Sequence, residues 1–223
     1  MIEFTLAQGT APRCILFLGA HCDDIEIGCG GTLLSIVEHY PETRLICVTL
    51  SSDPRRESET RAATLKLLEG AKNFEIRVEN FKGGFFPYVG DEIKDYIEDL
   101  KSTYQPDVIF THRRHDLHQD HRITNELTWN TFRDNLILEY EITKYDGDIG
   151  VPNTFVPLTK AQLKRKSDIL LENFPSQLHR QWFTRDTFEA IARLRGIECN
   201  APEGYAEAFF GRKMRLNFAQ SVN

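Results

Sequence analysis

The chain has 223 residues, 41% hydrophobic and 27% charged, with a formal net charge of −6. That length fits one α/β domain with a sizeable core, and the composition is ordinary for a globular protein. The acidic balance excludes a bulk nucleic-acid binder, and no run approaches the roughly 18 apolar residues of a membrane span.

The elements follow in order. Residues 14–18 are an apolar run that reads as a buried strand. Residues 19–32 read as a tight, glycine-rich turn, and 33–40 as a helix. A second strand at 44–50 ends at Ser51-Ser52-Asp53-Pro54, and a helix over 56–68 presents Ala62, Leu65 and Leu68 at helical spacing. A strand at 74–78, a helix at 91–103 with Ile93, Ile97 and Leu100 inward, and a strand at 107–110 continue the alternation. A helix over 119–132 carries Ile123 and Leu127 on one side, and a fifth strand spans 136–142. Such alternation predicts right-handed crossovers and a mostly parallel sheet flanked by helices, a single Rossmann-like domain over 1–223. Beyond it, 146–152 is a loop by composition. The last third shows one clear helix, at 160–171, and is expected to form a substrate-side wall. The basic runs at 164–166 and 212–215 read as solvated faces.

Chemistry concentrates in two stretches. The first reads Gly19-Ala-His21-Cys22-Asp23-Asp24-Ile-Glu26-Ile-Gly28-Cys-Gly30-Gly31-Thr32. It follows a strand, and in open α/β sheets ligands bind beyond the carboxyl ends of strands. His21 and Asp24 stand three positions apart, so both can reach one metal ion while Asp23 points elsewhere. Catalytic zinc takes three protein ligands and an open position, so a third must come from elsewhere. The second stretch, Thr111-His112-Arg-Arg-His115-Asp116-Leu-His118-Gln-Asp120-His121, also follows an apolar run and holds four of the seven histidines. Both stretches should lie on one edge of the sheet and converge. The glycines at 28–31 do not form Gly-x-Gly-x-x-Gly, so a dinucleotide site is excluded; they serve close helix packing instead.

His21-Cys-Asp23-Asp24 with its glycine-rich tail resembles the His-Pro-Asp-Asp signature of the PIG-L/LmbE-like zinc-dependent deacetylases. His118-Gln-Asp120-His121 resembles their His-Pro-Asp-His motif, with Cys22 and Gln119 where that family often has proline. Weaker similarity runs through Arg56-x-x-Glu59 and Ser176-Gln177 to Tyr205-Ala-Glu207. The resemblance implies Zn²⁺, with Fe²⁺ as an alternative for the same donors, held by His21, Asp24 and His121. It implies Asp23 as general base for hydrolysis of the N-acetyl group of an amino sugar or sugar conjugate. His118 then stabilises the oxyanion or protonates the amine, with Asp120 accepting its N–H and holding it charged. Arg56 and Tyr145 are candidate substrate contacts, Arg56 with the alternative of a local pair with Glu59. His112, His115 and Asp116 stay open between function and a solvated rim, and His39 and His179 read as surface or core. Cys22 is expected to point inward.

Five cysteines form no disulfide-like framework, and residues 1–13 carry no signal pattern, so a cytoplasmic protein is expected. Its partner is a small-molecule N-acetyl sugar or conjugate, with no nucleic acid, and a homo-oligomer follows from the habit of the family. Two other readings stay open: a hydrolase of a non-sugar amide, and a non-catalytic Rossmann-like binding protein.

Overall fold

Continuous apolar runs make strands that are buried on both faces, and they form the middle of the sheet. The computed structural model describes residues 11–215; most of the N-terminal stretch read for a signal lies outside them. Cys14–His21 (β1), Arg44–Ser51 (β2), Phe74–Val78 (β3), Val108–His112 (β4) and Leu136–Tyr140 (β5) pair in parallel. Thr154–Leu158 (β6) and Tyr205–Gly211 (β7) add antiparallel pairs, giving the order β3-β2-β1-β4-β5-β7-β6. Alternate residues of β1 enter opposite cores: Ile15 and Phe17 on one side, Leu16, Leu18 and Ala20 on the other. A sheet covered on both faces is the mostly parallel, helix-flanked α/β fold the alternation predicts.

Asp24–His39 (α1), Pro54–Leu67 (α2), Lys160–Asn173 (α5) and Arg185–Glu198 (α6) cover the first face. Gly90–Tyr104 (α3) and Gln119–Thr131 (α4) cover the second, α3 through the expected Ile93, Ile97 and Leu100. Strand order reverses between β1 and β4, which is where doubly wound sheets open a crevice.

Several expectations need correction. The stretch 19–32 is mostly not a turn: β1 runs to His21, only Cys22 and Asp23 turn, and α1 begins at Asp24. This helix was hidden because α2, α5 and the sheet enclose it, so its first eleven residues are all buried and show no polar stripe. Its glycines do let neighbours close in, since a Cβ on Gly28 would stand 2.4 Å from Tyr140 Cδ2.

In α2 the inward face is Thr60, Ala63, Thr64 and Leu67, while Ala62 and Leu65 are exposed. Buried Glu26 chooses that face: its Oε1 accepts from Thr60 Oγ1 at 2.9 Å and Thr64 Oγ1 at 2.5 Å. Lys166 is no solvated lysine. It is 4% exposed and its Nζ donates to Glu207 Oε1 at 2.6 Å. Arg212 likewise lies over the Trp129 ring and pairs with Glu139.

The last third supplies β6, β7 and α6, none of which the chain pattern had predicted, and its loop 141–153 reaches the carboxyl edge of the sheet through Lys144 and Asp148. Among the described residues no helix is long and apolar enough to cross a membrane.

Candidate metal centre

The end of β1, the start of α1 and the first turn of α4 meet at the β1/β4 crevice. His21 Nδ1 lies 3.2 Å from His121 Nε2, and Asp24 reaches both, with Oδ2 3.5 Å from His21 Nδ1 and Oδ1 3.6 Å from His121 Nε2. Each ring is oriented from behind by a carboxylate: His21 Nε2 stands 3.1 Å from Asp120 Oδ2, and His121 Nδ1 3.0 Å from Asp116 Oδ2. A carboxylate only accepts, so the outer nitrogens carry protons and the inner ones face each other and Asp24.

That cluster calls for a positive charge. Burial pulls His21 down, yet its bonds to Asp120 and Asp24 carry it up to about 9. Burial and the neighbouring His112 push His121 down to about 4, which keeps it a neutral donor. Two overlapping sets of donors, His21/His118/His121 and Asp24/His112/His121, each lie within 4.8 Å of one another. Nitrogen and carboxylate donors of this kind fit zinc or ferrous iron.

Asp23 takes the turn between β1 and α1 at φ 89°, a left-handed conformation. Its carboxylate leaves the cluster and pairs with Arg56 Nη2 at 3.0 Å. Burial raises Asp23 to about 8, with Asp24 and Glu26 adding to the rise and Arg56 opposing it. Arg56 also donates to Cys22 O. It does not pair with Glu59, which instead accepts from Ser176 N at 2.9 Å.

His118 is the N-cap of α4, and its contact with Asp120 is the reverse of the one expected. The backbone N–H of Asp120 donates to His118 Nδ1 at 3.2 Å, so the ring proton sits on Nε2. Burial and the His21 charge lower His118 from 6.5, so it is a neutral donor and not an imidazolium. The Asp120 carboxylate serves His21 and the loop 83–86, accepting from Gly84 N and from Phe86 N.

Tyr145 stands off this centre, 67% exposed and edge-on to Trp182. His115 is exposed, and so is His179. Cys22 points inward to Ser52 Oγ at 3.2 Å, with its thiol pushed up to about 12 by burial.

Sequence reasoning missed the support around His121. Asp116 Oδ2 also takes Lys144 Nζ at 3.1 Å, and Lys144 is held by Asp148 at 2.6 Å. Asp116 lay in the histidine-rich stretch as a visible signal; Lys144, 28 positions away, gave none. His112 is fully buried at the end of β4 and touches Asp24 and His121, so it is no rim residue.

The same architecture occurs in solved structures of low sequence identity. N,N'-diacetylchitobiose deacetylase from Pyrococcus horikoshii is 22% identical with a TM-score of 0.66, over 90% of this chain and 84% of that one. The zinc-inhibited form of teicoplanin deacetylase Orf2 is 14% identical with a TM-score of 0.70, over 89% and 97%. GalB, the 4-carboxy-2-hydroxymuconate hydratase of Pseudomonas putida KT2440, is 15% identical with a TM-score of 0.73, over 94% and 100%. No curated protein sequence matches the chain. The sequence profile of the GlcNAc-PI de-N-acetylase family, PIG-L, matches residues 16–132, the stretch that carries His21, Asp23, Asp24, Arg56, His118, Asp120 and His121. More than half of the chain is covered by that match, and the protein belongs to the PIG-L family of de-N-acetylases.

Proposed function

We propose that this protein is a metal-dependent N-deacetylase that removes acetate from an N-acetylated amino sugar or sugar conjugate. The observation that carries the reading is the convergence of His21 Nδ1 and His121 Nε2, 3.2 Å apart and each within 3.6 Å of Asp24, beside a second aspartate that is directed away to an arginine. His21, Asp24 and His121 would hold Zn²⁺ or Fe²⁺. When bound, such a cation lowers the pKa of the water it holds and polarises the acetyl carbonyl.

The chain's own residues do the rest. Asp23 takes the proton as water adds to the acetyl carbon, and burial keeps its pKa close to neutral, where a general base works best. Arg56 fixes the direction of that carboxylate. His118 Nε2–H donates to the oxygen on which negative charge develops. Breaking the C–N bond then releases acetate, and the amine leaves with the proton that Asp23 held. Arg56, whose Nη2 stands beside Asp23, would contact the sugar, and Tyr145, exposed on the loop that carries Lys144 and Asp148, would meet the more distant part of a conjugate. Two of the structural neighbours are named for deacetylating chitobiose and teicoplanin, which supports a sugar-bearing substrate.

The test is acetate release from free and carrier-linked N-acetyl sugars and from acetylated peptides, with one equivalent of zinc or ferrous iron and with a chelator. Acetate released from a sugar only with metal supports the proposal. Release from peptides alone moves the reading to a non-sugar amide, and no release from any acetylated compound leaves a binding protein. Because a hydratase shares the fold, water addition to an unsaturated acid is the control reaction.

A further inference from the structure

Strands β1 and β4 are paired only from Ile15 to Phe17 against Val108 to Phe110. Past that point the strands part, and the β4-facing groups of β1 need other partners. Two side chains provide them. Tyr140 donates its hydroxyl to Leu18 O at 2.6 Å, and Ala20 N–H donates to His112 Nε2 at 2.9 Å. His112 itself is fixed where β4 meets α4, since Asn125 Nδ2 donates to its carbonyl at 2.6 Å.

From that position one ring reaches the residue before His21 and two of the three candidate ligands, Asp24 and His121. It holds the amide just before His21. Its Nε2 lies 3.1 Å from Asp24 Oδ2, and its face stacks on His121 with centroids 3.8 Å apart at 19°. Nε2 meets two opposite demands, since Ala20 N–H donates to it while Asp24 Oδ2 would accept from it, and Nδ1 is buried with no partner among the described residues. A residue that only filled space would carry no such unsatisfied atom, because a leucine or methionine could occupy the place without it.

We propose that His112 is a positioning residue and not a ligand: it replaces the missing strand partner at Ala20 and so fixes the spacing of His21, Asp24 and His121. The inference rests on the metal-site reading above for its effect on the ion, and on hydrogen bonding alone for its effect on Ala20.

The experiment compares His112→Gln with His112→Met. A glutamine Oε1 falls near the Nε2 position and keeps an acceptor for Ala20; methionine removes it while filling the volume. Zinc affinity is read by competition with a chromophoric chelator, and exchange of the Ala20 amide by NMR. Thermal unfolding checks that each variant folds, with His112→Leu replacing methionine if that variant does not. The methionine variant should lose about 10- to 100-fold in zinc affinity and exchange Ala20 faster, while the glutamine variant stays within about threefold of wild type in both. Loss of zinc by the glutamine variant with Ala20 still protected would make the ring a ligand and overturn the proposal. Unchanged zinc affinity and unchanged Ala20 exchange in the methionine variant would overturn it too. If the wild-type chain binds neither zinc nor ferrous iron, the deacetylase reading fails by itself, and Ala20 exchange still decides the role of His112.

Discussion

The aspartate between β1 and α1 has two requirements placed on it, one by the backbone and one by the chemistry. A φ of 89° is a conformation that aspartate and asparagine tolerate better than other side chains with a Cβ. Substitution separates the two. Asp23→Asn should keep the backbone and zinc affinity while kcat falls about 10²- to 10⁴-fold, the value of a positioned base. Asp23→Ala should lose as much activity and in addition about 1 kcal/mol of stability in urea unfolding, because alanine is strained there. Equal stability of the two variants would remove the strain argument, and full turnover in the asparagine variant would remove the base. The pairing of His21 with Asp24 and the convergence of the two stretches could be read from spacing, because a strand end, a helix start and a second cluster are local patterns. The choice of His121 and the role of Asp23 rest on the resemblance to the family. The partner of Asp120 followed from neither. Its carboxylate is directed to Gly84, 36 positions upstream, and the position of that loop follows only from the folded chain.

At the scale of elements, α1 is a helix whose middle, Gly28-Cys29-Gly30-Gly31, has poor helix propensity. It is held by bonds from other elements. Lys166 of α5 donates to Ile27 O at 2.5 Å, and Glu207 of β7 accepts from Gly31 N and Thr32 N, both at 2.7 Å. Lys166→Met would leave the Glu207 carboxylate buried with no countercharge, and removing one partner of a buried pair costs about 3–5 kcal/mol. Lys166→Met/Glu207→Gln should recover part of that, since the remaining side chain is neutral and still accepts from Gly31. Urea midpoints of the two variants test this; a double variant no more stable than the single one would show that the pair is not what holds α1. These contacts also mark the limit of pattern reading. The βα alternation, the inward face of α3 and the parallel order followed from apolar periodicity alone. The face of α2 did not, because Glu26 selects two threonines over the leucine that hydrophobicity would choose. The antiparallel β6 and β7 did not either, since Thr154–Leu158 contains a proline and Tyr205–Gly211 an acidic residue that is buried where Lys166 and the amides of Gly31 and Thr32 meet it.

For the molecule as a whole, the two halves of the sheet join at β1 and β4, and stability should respond at both ends of that seam. At the amino end Asp107 Oδ2 accepts from Arg13 N at 2.7 Å and from Cys14 N at 3.2 Å. Burial would raise this carboxyl, but those two backbone donors outweigh it and hold it below the usual 3.8. A group with a depressed folded pKa contributes its stability above the unfolded value and loses it as pH falls through the folded one. Asp107→Asn should therefore be less stable than wild type at pH 7, with the gap narrowing below about pH 3.8; urea midpoints that stay equally far apart down to pH 2.5 would remove the effect. At the carboxyl end an ion held by His21, Asp24 and His121 would tie β1, α1 and α4 together, and it binds only where these are assembled. With free zinc at about 100 times its Kd, that linkage adds about 2.7 kcal/mol. At about 2–4 °C per kcal/mol for a chain of this size, Tm should rise about 5–10 °C on adding zinc and fall back with a chelator. Asp24→Asn should lose most of that rise, whereas Asp23→Asn should keep it, because by this reading only Asp24 touches the ion. A zinc-dependent rise that Asp23→Asn abolishes and Asp24→Asn preserves would exchange the two roles, and with them the direction in which the proton leaves the water.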